Sequence, residues 1–129
     1  MRPDERKFVR EICCKLRWPH GTTWADWSQV NGPIVDAWID AGECRVYDED
    51  GVILGFLVTT GEVVRALYVK RAFRGEGFGL ALVLDWRPSV KQLRAFMPTP
   101  SWKRWTICHG LPWVEATEPP PRERMRAAG

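Results

Sequence analysis

The chain reads as a mixed α/β domain in which helices pack on a mostly antiparallel sheet. Three observations predict this. Apolar residues repeat at helical spacing through the first forty or so positions. The spacing then changes to short β-branched runs parted by Asp- and Gly-rich turns. A glycine-rich turn finally leads from the last of these runs into an apolar helix.

In "DERKFVREICCKLR" (4–17), Phe8, Ile12 and Leu16 form one helical stripe beside Val9 and Cys13. Asp4 and Glu5 at its start and Lys15 and Arg17 at its end suit the helix dipole, and Pro19 stops it. "TTWADWSQV" predicts a second, short helix, and "NGP" predicts a break. Pro33 then opens a third helix, which runs to Ala41 and closes at Gly42. Strands are expected at 44–47, 52–58 and 63–70, joined by the turns "DEDG" and "TTGE" as a meander. "FGLALVLDWR" is an apolar helix stopped by Pro88, and "VKQLRAFM" (90–97) reads as a strand. "SWKRWTICHG" is a short last helix, and "LPWVEA" a closing edge strand.

With 129 residues the chain is long enough for one core and too short for two, so a single domain is expected over 1–117. "EPPPRERMRAAG" (118–129) reads as a disordered tail. No apolar run approaches the roughly 18 residues of a membrane span. The start, "MRPDERKFVR", lacks a signal peptide's apolar core, so a cytoplasmic location is expected. The four cysteines contain no CxxC pair, which points to reduced thiols and to no metal site. A net charge of +3 suits an anionic ligand but is thinner than a nucleic-acid footprint. The eight tryptophans fit core, groove wall or partner surface, with stacking on bases as the alternative.

The stretch "RAFRGEGFG" (71–79) carries the chemistry. The first turn of a helix has unpaired backbone N–H groups and a partial positive charge. Gly75, Gly77 and Gly79 clear an approach to those amides, and Arg74 adds a formal charge with Lys70 and Arg71 nearby. This is a diphosphate cradle. A P-loop would need Gly-Lys-Ser or Gly-Lys-Thr, which the chain lacks. A dinucleotide fold needs GxGxxG in a βαβ unit, whereas the spacing here is GxGxG after a meander.

Arg74-Gly75-Glu76-Gly77-Phe78-Gly79 matches the Q/R-x-x-G-x-G/A loop of the GNAT acyltransferase superfamily, and residues 52–84 resemble the core of that family. The resemblance rests on a strand with I-x-G-F, a hairpin, a strand ending L-Y-V, the loop, and an apolar helix. It implies a GNAT-like sheet and acetyl-CoA as co-substrate, with the pyrophosphate on the amides of Arg74, Gly75, Glu76, Gly77, Phe78 and Gly79. It also implies a pantetheine arm paired along Leu67, Tyr68 and Val69, with the Val69 amide holding the thioester carbonyl. The reaction implied is acetyl transfer to an unknown amine by direct attack. The chain's compact form is similar to members carried by phages or prophages.

The family's usual carboxylate base and tyrosine acid have no evident counterpart. Glu62 and His109 are the nearest candidates, and they read equally as a solvated hairpin charge and a helix-end histidine. The segment after the glycine helix is short, so the acceptor side is truncated, reshaped by tryptophans or completed by a second subunit as a homodimer. Two other readings fit the sequence: a GNAT-fold protein that binds CoA or a partner without catalysis, and a basic, Trp-rich nucleic-acid-binding module.

Overall fold

Helix α1 (Pro3–Leu16) turns Val9, Cys13 and Cys14 inward along the predicted stripe, with Phe8 and Ile12 half-buried beside them. The computed structural model describes residues 2–41, 44–86, 93–95 and 99–116. Gly42, Pro88, most of the expected strand 90–97 and the tail 118–129 lie outside them.

Helix α2 (Trp24–Asp40) corrects one expectation. The second and third helices are a single helix that runs through Pro33. Proline there removes one N–H and leaves the Gln29 carbonyl without its helical donor. Gln29, Val30 and Pro33 are all exposed, so water can replace that donor and the break is not enforced. Gly32 is buried against α1, and a Cβ there would lie 2.3 Å from the Arg10 guanidinium. Arg6 and Arg10 of α1 pair with Asp36 and Asp40 of α2 at 2.8–3.4 Å across this contact.

Strands β1 (Cys44–Glu49), β2 (Val52–Thr60) and β3 (Val63–Val69) form the predicted antiparallel meander. Asp50 and Gly51, both at positive φ, make the first turn, a geometry that favours Asp-Gly. After a 3₁₀ turn (Arg71–Phe73) comes α3 (Phe78–Trp86), then β4 (Leu93–Ala95), α4 (Pro100–Cys108) and β5 (Trp113–Glu115). The sheet order is β1-β2-β3-β4-β5, and the pairings β3–β4 and β4–β5 are parallel. Twelve antiparallel residue pairs against five parallel ones make it mostly antiparallel, as expected.

Two cores lie on opposite faces. Phe56, Val58 and Ala66 face α1 and α2 with Val9, Val35 and Ile39. Leu57, Val64, Leu93 and Ala95 face α3 and α4 with Leu82, Val83 and Trp102. The tryptophans serve this packing: Trp24, Trp27 and Trp38 flank the first core, and Trp86, Trp105 and Trp113 the second. Trp18 is the one classed as exposed among them.

A one-residue bulge fits β3 to both faces. Val58 pairs with Ala66 and Thr59 with Val64, so Arg65 is the extra residue. Strict alternation would put Arg65 on the side of Leu67. Instead its guanidinium lies 5.2 Å from the Trp38 ring, on the side of Ala66, and Val64 enters the opposite core.

Burial holds the Cys44 thiol up at about 11, and it raises Cys13 and Cys14 as well. Cys108 is exposed at the end of α4. Iodoacetamide at pH 8 is therefore expected to modify one thiol per folded chain, at Cys108, and all four in urea. Mass spectrometry showing Cys13 or Cys14 alkylated at the same rate would contradict this packing. At Gly55, a Cβ would stand 2.6 Å from the Tyr68 carbonyl oxygen, a backbone atom with little room to move. Gly55→Ala should lower stability by about 1–3 kcal/mol, read from the urea midpoint.

Candidate functional site

The glycine loop is built for an approach from outside. Gly75 and Gly77 stand at φ +86° and +87°, in the left-handed region that side-chain-bearing residues rarely enter, and the space where each Cβ would lie is open. Gly79 differs. It is buried in the first turn of α3, and a Cβ there would press to 3.3 Å from Trp105 Nε1. Two of the three glycines thus shape the loop, and the third lets α4 close against α3.

The start of α3 is bare where the other loop-to-helix junctions are not. Thr23 caps α2 by accepting from the Asp26 amide, and Thr99 caps α4 by accepting from the Trp102 amide, each at 3.2 Å. At α3 the first helical bond runs from Ala81 to the carbonyl of Gly77, so a glycine holds the cap position and has no side chain to offer. The amides of Gly77, Phe78, Gly79 and Leu80 are those the helix itself does not use. Phe78 packs on Tyr47 of β1 and on Phe73, and Glu76 is exposed.

The charges around the loop divide. Lys70 turns away, its Nζ 5.5 Å from the Phe8 ring on the α1 side. Arg71 is exposed on the 3₁₀ turn. Arg74 folds back, its Nε donating to the Val69 carbonyl at 2.9 Å.

Leu67 and Val69 both turn their backbone groups off β2. The Lys70 amide donates to the Leu54 carbonyl at 2.8 Å, which makes Leu54–Lys70 a bonded pair. In an antiparallel ladder bonded and non-bonded pairs alternate, so Gly55–Val69 and Leu57–Leu67 are non-bonded pairs whose N–H and C=O point outward. On that outer side β3 meets β4 only at Val63–Arg94 and Val64–Ala95 among the described residues. From Arg65 to Val69 no partner strand lies on that side among the described residues.

A cleft lies where the two strands part. Residues 64–67 of β3, Ala95 of β4 and Trp102 of α4 line it, and Arg17 enters from the end of α1. An Arg17 Nη2 donates to the Arg65 carbonyl, which ties α1 to the bulge, and Arg65 Nε donates to Thr60 Oγ1 at 2.8 Å. Burial lowers the Arg17 pKa from its ordinary value, and the positive charge of Arg65 lowers it further, so the two guanidinium groups sense each other.

The structure thus gathers part of the expected site. The loop 74–79 follows directly on Leu67 and Val69, whose backbone groups point away from β2, and Tyr68 between them turns to Phe8 and Phe56 in the first core. Glu62 is exposed in the β2–β3 turn, at the opposite end of β3 from the loop, and His109 is exposed at the end of α4, its ring centroid 5.0 Å from that of Trp105 and tilted against it. Neither lines the cleft. Sequence reading missed Arg17, Arg65 and Trp102, which come from three elements and share no local pattern. The one available signal was Arg65, a charge in an otherwise apolar strand. Among the described residues no group of three or more His, Cys, Asp or Glu is placed to hold a metal, and no helix is long and apolar enough to cross a membrane.

No protein-family model matches the chain, and no curated protein matches it in sequence. Solved structures similar to it are GNAT-family acetyltransferases. One, from Staphylococcus aureus and described as a GNAT family acetyltransferase, is 12% identical, with a TM-score of 0.49 over 92% of this chain and 96% of that one. A GNAT family acetyltransferase from Brucella melitensis in complex with acetyl-CoA is 19% identical, with a TM-score of 0.45 over 97% and 77%. AAC(6')-Iy in complex with a CoA bisubstrate analogue is 16% identical, with a TM-score of 0.43 over 98% and 82%. Likeness at this level transfers no substrate and no catalytic residue.

Proposed function

We propose that the chain is an N-acyltransferase that takes acetyl-CoA as donor and an amine as acceptor. The observation that carries this reading is the uncapped first turn of α3, reached through Gly75 and Gly77 and adjoining the outward backbone groups of Leu67 and Val69. A diphosphate on the amides of 74–79 would supply the acceptors that Thr23 and Thr99 supply to α2 and α4. Arg74 would leave the Val69 carbonyl and turn to the phosphates, which frees that carbonyl for an amide of the pantetheine arm. Leu67 and Val69 would pair with the arm as a strand, and the Val69 amide would hold the thioester carbonyl and the negative charge that develops on it.

Chemistry follows from position. The amine nitrogen donates its lone pair to the thioester carbonyl carbon, and the N–C bond forms as the C–S bond breaks. Sulfur leaves with the bonding electrons, and the proton shed by nitrogen passes to the thiolate or to water. Alignment of the reactants can supply much of such a rate, and the scheme assigns no step to Glu62 or His109. A CoA-binding protein without transfer is the second reading, favoured by the distance of those two side chains from the cleft.

Acetyl-CoA at 100 times its Kd should add about 2.7 kcal/mol of stability, seen as a raised Tm. A Tm unmoved by acetyl-CoA and by CoA would remove both readings. Release of free thiol from acetyl-CoA with an amine panel distinguishes transfer from binding alone. Gly77→Trp should leave the far-ultraviolet circular dichroism unchanged and abolish the ligand-induced shift. A normal shift in that variant would place the diphosphate elsewhere.

A further inference from the structure

Of the three cations near the glycine loop, Arg74 is the one whose side chain turns back to β3. The cause is local. The Phe73 amide donates to the Lys70 carbonyl at 2.9 Å, and this 3₁₀ turn folds the chain so that residue 74 returns beside residue 69. Arg74 Nε then donates to the Val69 carbonyl, which points away from β2. A guanidinium bonded to an outward carbonyl stands on the side of β3 that a paired arm would take. Among the described residues no carboxylate forms an ion pair with Arg74. The contact is exposed, so it opens without disturbing either core. A phosphate would offer the guanidinium a charged acceptor in place of a neutral one, and such bonds are stronger.

Resting on the acyltransferase reading, we infer that Arg74 is a specificity-determining residue that discriminates against donors carrying the thioester arm without the diphosphate. In the empty protein its guanidinium latches the Val69 carbonyl. An anion on the loop draws the guanidinium away, and the arm then finds the strand clear. The two halves of the donor are thereby coupled: each raises the affinity for the other by the same factor. A latch closed roughly nine-tenths of the time weakens binding of the bare arm about tenfold.

The test titrates the full chain with acetyl-pantetheine, the arm without its nucleotide, and follows the amide resonances. Saturating ADP, which carries a diphosphate without the arm, should tighten acetyl-pantetheine about tenfold in the wild-type chain. Arg74→Met keeps the stem and removes the donor. It should bind acetyl-pantetheine about tenfold more tightly than wild type with no ADP present, and ADP should add nothing further. A residue that only held phosphate would weaken acetyl-CoA on removal and leave acetyl-pantetheine untouched. That result, or an ADP effect absent from wild type, overturns the inference, while acetyl-CoA binding and thiol release keep the acyltransferase reading standing. Tighter arm binding in Arg74→Met with no thiol release from acetyl-CoA by either chain would keep the latch and sink the transfer.

Discussion

The placement of one extra residue in β3 organises the functional half of the molecule. Arg65 has no counterpart on β2, so the strand changes phase between Val64 and Ala66. Val64 can then fill the core under α3 and α4 while Ala66 and Tyr68 fill the core under α1 and α2. The same irregularity marks where β3 ceases to pair with β4 among the described residues. Without it, a regular strand would bury Arg65 among Leu57, Leu82 and Leu93, where an unpaired charge is strongly disfavoured. The bulge therefore solves a packing problem with a single extra residue.

Much of the frame was legible. The α1 stripe as far as Cys13, the Asp50–Gly51 turn and the run from strand through glycines to apolar helix obey local rules and formed where those rules place them, whereas Leu16 at the end of the stripe is exposed. Pro33 was misread because local chemistry states what a proline removes and not whether water can replace it. Arg65 was missed for a similar reason. Alternation assigns a side to each residue of a strand, and only the neighbouring strand reveals that one residue has been skipped. The cleft escaped altogether, because Arg17 and Arg65 stand 48 positions apart and meet through tertiary packing.

The glycines show how one residue type answers different demands. Gly75 and Gly77 adopt a backbone that other residues resist, and open space surrounds them. Gly55 and Gly79 have ordinary dihedrals and no space: a carbonyl crowds the first and a tryptophan ring the second. The sequence pattern GxGxG does not separate these roles, since it records only the absence of a side chain. Exposure does, because loop glycines that meet nothing of the protein remain free to meet something else.

The bare start of α3 also bears on how the molecule is tuned. Threonine hydroxyls complete α2 and α4 from within the chain, whereas α3 lacks its closing partner. That helix joins the glycine loop to the second core through Leu82 and Val83. A ligand that supplied the missing acceptors would act as a removable splice between loop and core. The empty protein would then be softest where such a ligand is taken up, and it would stiffen there only while the ligand stays.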